Sequence, residues 1–125
     1  MNYQDVTIRI PAVIDRRITP NGRAHWRTKH NLQKELKQTT MWAMKGHHLD
    51  VLPETPWQLN YVIGLAKGRR RLDDDNAKAA LKYVQDGIAA EAGIDDKHII
   101  VGTVEFVRDP QGVGFIDATI KGGAK

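Results

Sequence analysis

Leu72-Asp73-Asp74-Asp75-Asn76 places three carboxylates side by side, directly after Lys67 and Arg69-Arg70-Arg71. Adjacent carboxylates repel, and the positive end of a helix needs one or two of them at most. If residues 72 and 73 still belong to an extended segment, Asp73 and Asp75 point to one side and Asp74 to the other. Two carboxylates then share a site. A third brought near by the fold would complete a set for Mg²⁺, which takes oxygen ligands and keeps several waters for chemistry. The candidates are Asp95 and Asp96, in Gly93-Ile94-Asp95-Asp96-Lys97. They follow a helix of about 16 residues, or about 24 Å, so spacing alone does not fold them back. A solvated loop with local charge balance accounts for the same residues on composition alone.

The surrounding charge gives these carboxylates a context. The chain has 125 residues, with 19 Lys and Arg against 15 Asp and Glu, a net charge of +4 and no cysteine. Its basic residues fall in three clusters: Arg16-Arg17; then Arg23, His25, Arg27, Lys29 and His30; then Lys67 and Arg69 to Arg71. A basic surface around an acidic knot suits a polyanion-binding protein with a metal site, since phosphates need cations and the metal needs carboxylates. The lack of cysteine excludes disulfide frameworks and cysteine-zinc sites. Histidine has no metal-ligand spacing here. His47-His48 reads as the end of a helix with only Asp50 nearby, His30 and His98 carry no role, and His25 stands beside Trp26 and Arg27. No apolar run approaches the roughly 18 residues of a membrane span, and Met1-Asn2-Tyr3-Gln4-Asp5 has no signal-peptide character. The expectation is a soluble cytoplasmic protein without a membrane partner.

The elements that must position these residues follow from periodicity. Val6-Thr7-Ile8-Arg9-Ile10 alternates and predicts a strand to about Val13, followed by turn chemistry in Thr19-Pro20-Asn21-Gly22-Arg23 and a loop through Trp26. Leu32, Leu36, Thr40 or Met41, and Met44 predict a helix over Lys29 to Lys45, closed near Gly46. Trp42 is expected in a core, and the three tryptophans show no stacking pattern. Trp57 to Leu65 alternates as a second strand. Asn76 to about Ala92 is the clearest helix, with Asp/Asn caps before it and Gly93 after it. Ile99 to Arg108 and Gly114 to Ile120 are two more strands, with Asp109-Pro110-Gln111-Gly112 expected as a hairpin loop between them. The order β-α-β-α-β-β gives an α+β domain over residues 1–121, a single mixed or mostly antiparallel sheet with two helices on one face. A disordered tail is expected over 122–125.

On the second helix, Asp75, Lys78, Lys82 and Asp86 fall on one face, and Ala77, Leu81, Val84 and Ile88 on the other. Lys82 and Asp86 also form an i,i+4 pair, which by itself describes an ordinary solvated face. The run from Arg69 to Asn76, the Lys/Asp-bearing helix and the Gly-Ile-Asp95-Asp96 turn together resemble the RusA family of Holliday junction resolvases. Pro20-Asn21-Gly22-Arg23-Ala24-His25-Trp26 is similar to the family's N-terminal Asn/Arg motif, and the similarity extends over roughly Val6 to Ile120.

The resemblance implies a homodimeric, Mg²⁺-dependent endonuclease that resolves four-way DNA junctions by paired nicking in recombination and repair, with Mn²⁺ as an alternative metal and a bacterial or phage origin. It assigns Asp73, Asp75 and Asp96 as metal ligands, with Asn76 completing the motif. Arg69, Arg70 and Arg71 would hold the backbone around the cut, and Arg23, His25, Arg27, Lys29 and Lys78 would extend the DNA contact. The family lysine three residues after the motif Asn is Ala79 here. Lys82 keeps the family's spacing of four before the helix aspartate, Asp86, and takes that catalytic role first, with Lys78 second. Two other readings stand beside this one: a junction-binding protein of the same fold without cleavage, and a metal-dependent phosphohydrolase acting on small phosphates.

Overall fold

The computed structural model describes residues 5–20, 22–46 and 52–123. Four strands form where apolar and polar residues alternate: β1 (Val6–Ile10), β2 (Trp57–Leu65), β3 (Ile99–Arg108) and β4 (Phe115–Gly122). Between them lie α1 (Trp26–Lys45) and α2 (Asp74–Ala92), with 3-10 turns at Arg16–Ile18 and Asp96–His98. The fold is α+β, with one mixed sheet in the order β1-β4-β2-β3. β4 is antiparallel to both its neighbours, and β2 and β3 are parallel, so β1, β2 and β3 all run the same way.

One face of the sheet is the core. Ile8, Ile10, Leu59, Tyr61, Ile116 and Ile120 are completely buried there, against Ala77, Ala80, Leu81, Val84 and Ile88 of α2 and Leu36 and Met44 of α1. The opposite face is polar, where Arg9 makes a two-pronged pair with Asp117 at 2.8 and 2.9 Å and Thr7 meets Thr119. In β3 the alternation breaks. An extra residue between Val101 and Val104 forms a bulge that returns Val104 and Phe106 to the core side, opposite Tyr61 and Ile63. Asn60 Oδ1 fills the gap by accepting from Thr103 N at 2.9 Å.

Several boundaries differ from expectation. β1 ends at Ile10, just before Pro11, rather than at Val13. α1 starts at Trp26, three residues early, because the His25 side chain accepts from Arg27 N and caps it. Trp42 is 65% exposed rather than in the core; Thr40 and Met44 take the inward positions, and two residues from either is about 200° around the helix. Asp109 to Gly112 is not a hairpin loop, since β2 lies between β3 and β4. That turn crosses the end of β2, where Asp109 N donates to Leu65 O and Lys67 N to Gly112 O. Two residues expected in a disordered tail are ordered: Gly122 pairs with Trp57, and Gly123 N donates to Glu54 O. Asn21, His47, His48, Asp50 and the last two residues lie outside the described residues.

Candidate nucleic-acid interface and carboxylate site

Because β1, β2 and β3 run in one direction, their carboxyl ends share one edge of the sheet, which is where open α/β sheets place ligands. The segments leaving those ends carry nearly all the charged clusters. Arg16 and Arg17 follow β1, and Arg23, His25, Arg27 and Lys29 surround the start of α1. Arg69, Arg70 and Arg71 follow β2 and lead into Asp73, Asp74 and Asp75 at the start of α2. Lys78 and Lys82 are exposed on the second and third turns of α2. Among the described residues, Lys82 forms no ion pair with Asp86.

The three adjacent aspartates avoid mutual repulsion by taking different work. Asp73 caps α2: its Oδ1 accepts from Asn76 N at 2.8 Å and its Oδ2 from Asn76 Nδ2 at 3.0 Å. Asp74 accepts from Arg71 Nη2 at 2.8 Å. Asp75 is exposed and has no hydrogen-bond partner among the described residues.

The arginines divide in a similar way. Arg17 is taken up by Asp15 through contacts of 2.7 to 3.0 Å, and those bonds hold the Asp15 carboxyl below the usual carboxylate range. Arg71 lies over the Phe106 ring, 4.6 Å from its centroid. Arg16 Nη2 donates to Arg70 O at 2.7 Å, and Arg108 Nη1 donates to Ala66 O and Arg69 O at 3.0 and 2.8 Å. The loop backbone is thus braced from both sides. Arg69 and Arg70 are exposed and make no side-chain hydrogen bond or close ion pair among the described residues, Arg69 acting on Asp15 only at longer range. Bracing by Arg108 was invisible in the sequence, because only the parallel pairing of β2 with β3 brings the end of one strand to the loop after the other.

At the α1 end, Arg27 lies 5.4 Å from the Trp26 ring centroid, and His25 lies 5.6 Å from it on the other side of the sequence. Trp26 is 67% exposed, so this cluster offers an aromatic face among cations.

Asp96 lies elsewhere. It opens the 3-10 turn after α2, whose 19 residues span about 28 Å. Its neighbour Asp95 caps that turn through Lys97 N at 3.0 Å; this bond, with a hydrogen bond shared with Asp96, lowers the Asp95 pKa. Among the described residues no group of three or more potential side-chain ligands meets to hold a metal. Asp73 caps α2 and Asp75 already lies in its first turn, so the alternation of an extended segment does not set these two carboxylates side by side; they are the candidate ligands at this helix start, and Mg²⁺ can be held by as few as one or two carboxylates with water completing the shell. A cage of three carboxylates including Asp96 does not form within one chain.

Comparison with protein-family profiles and with curated proteins gives no match. Among the described residues no helix is long and apolar enough to cross a membrane.

Proposed function

We propose that this protein is a Mg²⁺-dependent endonuclease of the RusA kind that nicks branched DNA as a homodimer. The observation carrying this reading is the meeting, at the carboxyl ends of the parallel strands, of two unpaired arginines with a helix start that bears a free carboxylate. Arg69 and Arg70, on a loop held in place by Arg16 and Arg108, contact backbone phosphates. Asp73 and Asp75 are the residues that would hold the metal, which when bound supplies an activated water and offsets charge on the phosphate. The cap from Asp73 to Asn76 fixes one of these carboxylates against the helix. Lys82, and Lys78 one turn closer, add positive charge along the same helix face.

Binding without cleavage is the second reading, favoured by two observations: both Asp73 oxygens are engaged by Asn76, and Asp96 is a helix length away. Nicking of a synthetic four-way junction, with linear duplex as control, separates the two. The expected result is Mg²⁺-dependent nicking by the wild type, and loss of nicking with retained junction binding in Asp75→Asn. Unchanged nicking by that variant would overturn the site, and salt-dependent binding without nicking by the wild type would select the second reading.

A further inference from the structure

A cavity of about 540 Å³ opens beside the Arg69–Arg70 loop, between the segment after β1, the middle of α1 and the ends of β2 and β3. Its floor is apolar, built by Ile14, Leu32, Ile63 and Phe106 among others. Arg16, Arg17, Arg69 and Arg70 also line it, against two carboxylates, Asp15 and Glu35. With Asp15 paired to Arg17, the remaining cations Arg16, Arg69 and Arg70 face the single carboxylate of Glu35, which leaves the lining with an excess of positive charge. An occupant must therefore combine an apolar body with an anionic group attached at the mouth.

A second, more open cleft lies on the other side of the same two residues. It is lined by Lys67, Arg69, Arg70 and Arg108, and by Asp109. The Asp109 carboxylate is already bound by the backbone N–H groups of Gln111, Val113 and Gly114, so it does not compete for these cations. Arg69 and Arg70 thus form a ridge with cationic ground on both sides. A single metabolite with one phosphate would use one side only. A strand with successive phosphates uses both, and its bases have a flat apolar body that fits the deeper cavity.

We infer that this cavity receives one unstacked nucleobase of a bound DNA strand, with the flanking phosphates on Arg69 and Arg70. This rests on the DNA-binding reading above and adds to it the way the strand is held. Opening a stacked base is easiest where pairing is already interrupted, as at a branch point. The cavity therefore favours branched or unpaired DNA over continuous duplex.

The test uses a four-way junction carrying 2-aminopurine at the branch point, whose fluorescence rises when the base leaves the stack. Wild-type protein is expected to raise the signal several-fold on binding. Thr39→Phe fills the cavity from α1 and Ala12→Leu fills it from the loop after β1; both residues line it. Either variant is expected to remove the rise while keeping junction affinity within about threefold, because the phosphate contacts remain. Junction binding by the wild type without any rise overturns the base pocket and leaves the DNA reading standing. A rise that survives in both filled variants also overturns the pocket. No junction binding at low salt overturns the DNA reading, and the pocket with it.

Discussion

Asp73 carries two possible demands on one side chain, and conservative substitution separates them. As the cap of α2 it can be replaced by Asn, a residue equally suited to that position, whereas Ala removes the cap at about 1 kcal/mol. Asp73→Asn is therefore expected to melt near the wild type and Asp73→Ala several degrees lower, while both lose Mg²⁺-dependent nicking; nicking retained in Asp73→Asn would reduce the residue to a cap. Asp109 offers a pH readout. The N–H groups of Gly114, Gln111 and Val113 hold its carboxyl below the usual range. The folded state thus binds that proton less readily than the unfolded chain. Its contribution is complete above the unfolded-state pKa and disappears as pH falls through the lower folded value. On acidification the wild-type melting temperature should fall more steeply than that of Asp109→Asn, which should already be lower at neutral pH. Parallel curves would remove Asp109 from the account. Sequence reasoning singled out Asp73 and Asp75 as candidates but could not see that one would be a cap and the other free, since that depends on where the helix begins by a single residue.

Helix α2 was readable almost to its ends, because its caps and its apolar stripe are local. Gly93 closes it with a left-handed backbone, and it begins at Asp74, two residues ahead of the expected start, with Asp73 as its cap. β2 and β3 likewise have the expected bounds. The order of strands in the sheet was not readable, because pairing joins residues far apart in the chain, more than a hundred positions for Arg9 of β1 with Asp117 of β4. The contact between α1 and α2 depends on Gly87, where an added Cβ would lie 2.7 Å from Lys37 O and 2.8 Å from Thr40 Cβ. Replacing Gly by Ala in a helix normally gains up to about 1 kcal/mol. Here crowding costs about 1 to 3 kcal/mol, since the facing atoms are backbone and a buried β-branched side chain. Gly87→Ala is expected to lower the urea midpoint despite its better helix propensity, and an unchanged or raised midpoint would show that the helices can separate freely.

Taken as a whole, the molecule confines its uncompensated cations largely to the end of the sheet where the parallel strands finish, while its net charge is only +4. Affinity for DNA should accordingly fall with salt more steeply than so small a net charge suggests, because the slope counts phosphates contacted. Replacing Arg69 or Arg70 by Ala is expected to reduce the slope of log affinity against log salt by about 1 each, measured by fluorescence anisotropy. An unchanged slope would place the DNA elsewhere. The strand order also governs how this surface comes into being during synthesis. Among the described residues, β1 precedes the other strands, yet it pairs with β4 alone, the last of them in the chain. On the ribosome β1 must wait, unpaired, until the chain has been extended through β4. The loop carrying Arg16, which braces Arg70, takes its place only when β1 docks. Nascent chains therefore lack the assembled cationic edge, which is completed late in synthesis, together with the closing of the sheet.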